Sequence, residues 1–175
     1  QAQVPSEAGV VPRLLDRVVP VHAVVPVDYY LPGCPPPAER IRGVLEALLA
    51  GTTTVIDHHA SPMAIDGSLD VIADALEELG LRAVLAYEVT DRDGPQAARA
   101  GVEENRRFLE RTRPLARGLV GAHASFTLSA ETLDACVELA RECRTGIHIH
   151  VAEDAADQCD AMARFGRRVV HRLAG

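Results

Sequence analysis

The segment from Thr145 to Asp154 reads Thr-Gly-Ile-His-Ile-His-Val-Ala-Glu-Asp, an apolar run that ends in two imidazoles and a carboxylate. Side chains alternate along a strand, so Ile147, Ile149 and Val151 share one face while His148, His150 and Ala152 share the other. Glu153 and Asp154 follow where a helix begins. Polar groups emerging from an apolar strand are costly to bury unless something uses them. A divalent metal or a proton-transfer step is the chemistry that suits them. Other apolar runs end in the same way: Asp57, His58 and His59 close the first, Tyr87 and Glu88 lie late in the second, and His123 ends the third.

These residues must be positioned by strands. The short β-branched or apolar runs at 52–57, 82–89, 117–123 and 145–152 are separated by amphipathic segments at about 68–79, 95–111, 129–143 and 154–174. The third helix is the clearest, with Ser129 as N-cap and an apolar stripe of Leu133, Cys136, Val137, Ala140 and Cys143. Strand and helix alternating with short joints predicts βα units and a parallel α/β sheet. Chemistry gathered at the C-terminal ends of successive parallel strands is where such folds place their sites.

Residues 1–37 differ in style. They are rich in Val and Pro, including the stretches 18–26 and 32–37, which predicts an irregular, extended segment. A helix is expected from Pro37 to about Ala50, with Gly51 as its terminator.

Composition excludes several functions. The chain has 175 residues, 47 % of them apolar, enough for one domain with a real core. Its net charge of −7 argues against a nucleic-acid partner and offers no polybasic patch to a membrane surface. No apolar run approaches the ~20 residues of a membrane span. The first residues lack the basic and apolar regions of a signal peptide, so a cytoplasmic location is expected. The 4 cysteines do not suggest a disulfide framework. Every Lys/Arg position is Arg, which removes lysine Schiff-base chemistry and a carbamylated-lysine metal bridge.

Residues 51–175 resemble the amidohydrolase superfamily, in its aminohydrolase/chlorohydrolase, deaminase-like branch. The stretches that carry the resemblance are Gly51–Pro62 (Gly-Thr-Thr-Thr-Val-Ile-Asp-His-His-Ala-Ser-Pro), Gly121–Ser129 (Gly-Ala-His-Ala-Ser-Phe-Thr-Leu-Ser) and Gly146–Glu153. The resemblance implies a (β/α)8 barrel holding one Zn or Fe ion, whose activated water displaces ammonia or another leaving group. His150 would be a metal ligand and Glu153 the general acid/base. His123 would contact substrate, as would His59 at the end of an earlier strand. The substrate would be a purine, pyrimidine or triazine-like heterocycle. The family's first-strand His-x-His pair has no counterpart before Gly51. About four βα units are expected, a partial barrel whose open edges favour a homo-oligomer that completes it in trans.

Residues 27–41, Val-Asp-Tyr-Tyr-Leu-Pro-Gly-Cys-Pro-Pro-Pro-Ala-Glu-Arg-Ile, resemble the C-terminal part of [NiFe] hydrogenase small subunits of the NAD-reducing type. There the matching cysteine, here Cys34, ligates a [4Fe–4S] cluster. Three functions therefore remain open: a metal-dependent hydrolase, an iron–sulfur electron-transfer subunit, or an inactive chimeric or fragmentary scaffold joined near residues 50 and 51. Outside these sites, His148 is expected to pack beside His150, and His22 and His171 to be incidental. Cys136 and Cys143 read as small core hydrophobes, and the pairs Glu77–Glu78 and Glu103–Glu104 as solvated helix faces.

Overall fold

The parallel α/β pattern expected from the periodicity is present in the computed structural model, which describes residues 50–174. The Pro-rich segment, the helix at 37–50, His22 and Cys34 lie outside the described residues. Strand β1 (Thr54–His59) leads through helix α1 (Ser68–Glu78) to β2 (Arg82–Tyr87), and helix α2 (Pro95–Leu109) leads to β3 (Ala116–Gly118). These strands form one parallel sheet in the order β1-β2-β3. Strand β4 (Val120–Ala124) follows at once and pairs in parallel with β5 (Ile147–His150) across helix α3 (Ala130–Glu142). Ser129 caps α3 as expected, accepting from Thr132 N. The core packs between strands and helices, with Leu69, Leu85 and Phe108 in one cluster and Val89, Leu128, Cys136 and Leu139 in another. Cys136 is fully buried within it and Cys143 packs against it. Among the described residues, no helix is long and apolar enough to cross a membrane.

The run expected as one strand at 117–123 is divided. Leu119 N–H still donates to Leu85 O (3.0 Å), and the pairing resumes only where Val89 N–H reaches Gly121 O at 3.3 Å. Between these points the fully buried amide of Asn105 stands in for the ladder. Its Oδ1 accepts from Tyr87 N–H (2.8 Å) and Gly121 N–H (3.3 Å), and its Nδ2 donates to Tyr87 O (2.9 Å) and Gly101 O (3.1 Å). The backbones approach so closely here that a Cβ on residue 121 would lie 2.0 Å from Tyr87 O, which only glycine avoids.

Two other expectations are corrected. Glu104 is not a solvated helix residue but is 2 % exposed. It accepts from Gly67 N–H (2.9 Å) and Leu69 N–H (3.0 Å) at the start of α1, so one carboxylate satisfies that helix's orphan donors from across the fold. Glu77 likewise accepts from the backbone N–H groups of Leu115 and Ala116, leading into β3. The helix expected over 154–174 is two helices, α4 (Ala155–Phe165) and α5 (Val169–Leu173), because Gly166 turns left-handed (φ 63°) and ends the first. From α5, Arg172 lies 3.9 Å over the Phe165 ring and donates to Leu128 O (3.1 Å) and to Ser125 O.

The Asn105 bridge makes the fold testable. Asn105→Ala strands Tyr87 and Gly121 backbone groups in the interior and is expected to cost about 2–4 kcal/mol in urea unfolding. A loss below about 1 kcal/mol would show that the strands pair without it.

Candidate metal centre

Period-two alternation along β1 sends His58 to one side and Asp57 and His59 to the other. The parallel strand β5 places His148 and His150 on the side that His58 faces. The His58 ring lies nearly parallel to that of His150 (centroids 4.9 Å apart, 15° between planes) and edge-on to that of His148 (4.3 Å). His123, on β4, meets His150 edge-on at 5.5 Å. Glu88 follows β2 directly and is 2 % exposed. Its Oε2 stands 3.9 Å from His58 Nε2, and its Oε1 stands 3.8 Å from His123 Nε2. Arg92, four residues on, donates to Oε1 at 2.9 Å.

The electrostatics favour neutral rings at His58, His123 and His148. Burial, reinforced by His148, His150 and His123, pushes His58 down from 6.5 to about 3. Burial lowers His123 as well, with Glu88 opposing the shift, and burial together with His150 lowers His148. Neutral imidazole is the form that binds a metal. For His123 the tautomer follows from its partner. The Thr127 hydroxyl donates to Ala124 O (3.0 Å), so its oxygen accepts from His123 Nδ1–H (2.8 Å) and the bare Nε2 faces Glu88.

His58, Glu88 and His150 each offer one donor atom, and these atoms lie within 4.8 Å of one another. A tetrahedral ion with bonds of 2.0–2.1 Å needs donors about 3.3 Å apart, which a modest closure of the side chains provides. Both ring nitrogens of His58 are buried without a hydrogen-bond partner, the state a cation would relieve. The donor set therefore fits a divalent metal.

Of the residues singled out from sequence, His150 and His123 are brought together here. His59 is on the opposite face, with its ring 6.2 Å from that of Tyr87, while burial raises the carboxyl of its neighbour Asp57 and the His59 charge opposes that shift. Glu153 is exposed at the turn after β5, near enough for its charge to act on His123. That turn is built on Ala152 in the left-handed region (φ 55°), whose N–H donates to the buried Asp157 at 2.8 Å. Sequence reasoning gave no ligand role to His58 or Glu88. An acidic residue inside the apolar run Leu85–Val89 was the available signal for Glu88. The choice between His58 and His59 depends on strand phase, which a run apolar on both faces does not mark.

A family model described as "Amidohydrolase family" matches residues 41–174. A 5-methylthioadenosine/S-adenosylhomocysteine deaminase of Symbiobacterium thermophilum is 30 % identical over 135 residues, which is 75 % of this chain and 29 % of the relative. A 5'-deoxyadenosine deaminase of Methanobrevibacter smithii is 30 % identical over 153 residues, covering 85 % and 32 %. Among solved structures, a zinc-bound adenosine deaminase from Xanthomonas campestris aligns with a TM-score of 0.61 at 24 % identity, over 74 % of this chain and 29 % of that one. A triazine hydrolase variant aligns with a TM-score of 0.63 at 20 % identity, over 77 % and 33 %. The fold is shared with these barrel proteins, and this chain spans about a third of the length of the relatives it matches.

Burial of neutral His58 ties stability to pH. Between 6.5 and about 3 the unfolded chain binds a proton that the folded site refuses, so stability falls as pH drops through this window. The slope from this group is on the order of 1 kcal/mol per pH unit. Urea midpoints in EDTA should fall less between pH 7 and pH 4 for His58→Phe than for the parent, and equal falls would refute the assignment.

Proposed function

This chain belongs to the amidohydrolase family, and from that premise we propose that it carries part of the active site of a hydrolytic deaminase acting on a small aminated heterocycle, a purine nucleoside first among them. The observation that carries this reading is the set of imidazoles and buried Glu88 at adjoining strand ends, with the Glu153 carboxylate at the next turn. Relatives named as deaminases of methylthioadenosine, S-adenosylhomocysteine and 5'-deoxyadenosine support the substrate class.

His150 would hold the divalent metal, zinc or iron. When bound, such an ion polarises the substrate and lowers the pKa of its water towards 7. The Glu153 carboxylate takes a proton from the attacking water and returns it to the departing amine, a task that needs a carboxylate reaching the site without being fixed as a ligand. His123 presents Nε2 as an acceptor and so orients a substrate N–H, with Thr127 holding the ring. His59, facing the other way, takes no part in this reading.

The assay belongs on the complete reading frame that contains this chain. After loading with zinc or iron, ammonia release is expected from one or more of adenosine, 5'-deoxyadenosine, methylthioadenosine, cytosine and an aminotriazine. Glu153→Gln should lower kcat about 10²–10⁴-fold with the metal retained, and His150→Ala should lose the metal. Silence across the whole panel from loaded, folded protein would reject deamination.

A further inference from the structure

We propose that Arg172 is a positioning residue for His123: from α5 it grips the turn that carries Thr127, and Thr127 holds the His123 ring. The proposal rests on the reading of His123 as a substrate contact and goes beyond it by naming what keeps that ring in place.

Arg172 differs from Arg107 and Arg113, whose guanidinium groups meet carboxylates. Among the described residues, the hydrogen bonds of Arg172 all go to one short turn, Ser125–Thr127, and its exit. Its Nη1 donates to Ser125 O and to Ser125 Oγ (2.6 Å), and its Nη2 donates to Leu128 O (3.1 Å). A planar fork can meet a hydroxyl and two carbonyls at once, which a single ammonium nitrogen does less well. The guanidinium carbon stands 3.9 Å from the centroid of the Phe165 ring at the end of α4, so the fork is backed by an aromatic face. Ser125 is fully buried, where an unmatched polar group is costly, and that makes the grip a tight constraint.

A second anchor comes from the stretch after β2. Asp91 N–H donates to Thr127 O (3.0 Å), and the Asp91 carboxylate accepts from Ser129 N–H (2.6 Å). Asp91 thus holds the Thr127 carbonyl, and Arg172 holds a carbonyl on either side of it.

With its backbone fixed, the Thr127 hydroxyl has one place to stand. It donates to Ala124 O (3.0 Å) and accepts from Ala124 N–H (3.3 Å) and from His123 Nδ1–H (2.8 Å). Among the described residues this is the only hydrogen bond of the His123 ring, so losing it frees the ring to turn. A turned ring presents Nε2 elsewhere, which weakens a substrate contact without touching the groups that do the chemistry.

A double-mutant cycle on the complete enzyme tests this, with KM read for adenosine or for the member of the panel above that is turned over fastest. Arg172→Met should raise KM about tenfold while kcat stays within about threefold, as expected of a lost binding contact. Thr127→Val removes the last link and should raise KM as much. The double variant should be no worse than either single one, since both break the same path. Arg172→Lys, which keeps the charge without the fork, should fall between parent and Arg172→Met. Circular dichroism checks folding, and if Arg172→Met does not fold, Arg172→Lys takes its place in the cycle. An unchanged KM, or increases that multiply in the double variant, overturns the proposal. A panel that yields no ammonia sinks the deaminase reading and leaves the link to be read directly on this chain. Nitrogen NMR should then show His123 protonated at Nδ1 in the parent and in both tautomers in Arg172→Met. The same single tautomer in both proteins overturns the link whatever the activity.

Discussion

The side-chain amide of Asn105 is the contact on which the rest of this structure depends. Glu88 is the next residue after Tyr87, and His123 lies two beyond Gly121, so the amide that spans Tyr87 and Gly121 sets how far apart these two polar groups stand. A direct backbone ladder could do the same joining, but side-chain insertion allows the strands to change direction without leaving polar groups unpaired.

Much of this was legible in the chain. The alternation of β-branched runs with amphipathic segments marks the parallel βα units, since each strand is covered on both faces and each helix on one. Polar residues ending apolar strands mark the side of the sheet where chemistry collects. Other features were hidden for physical reasons. Asn105 lies in the middle of α2, where nothing local separates a solvated amide from one that bridges two strands. Glu104 looks like half of an exposed acidic pair because the donors it satisfies, at Gly67 and Leu69, are remote in sequence. His58 and His59 differ only in strand phase, which becomes visible once β1 pairs with β2 in a fixed register.

Charge shapes the outside of the molecule differently from its centre. Arg107 and Arg113 both reach Asp70, and Arg113 also meets Asp74 and Glu77, so α1, α2 and the approach to β3 share one ionic seam. The exposed members of such a seam contribute little energy each, roughly 0–1 kcal/mol. Their effect is to fix how the helices lie. Arg suits this role because its planar fork meets several carboxylates at once. Around Glu88 the opposite holds, and only a few charged groups are admitted where each counts for far more.

The turn at Ala152 carries a consequence of its own. A non-glycine residue held left-handed stores on the order of 1–2 kcal/mol. The hydrogen bond to Asp157 opposes the release of that strain. The imidazoles sit on paired strands, whereas Glu153 rides on this strained, solvent-facing bend. The proposed proton carrier and the proposed ligand frame therefore belong to parts of the chain with different clocks. The bend moves on the timescale of loops, and the frame opens only with the sheet. On the function proposed above, a site divided in this way lets the Glu153 carboxylate exchange protons with bulk water between encounters while the imidazoles stay in place.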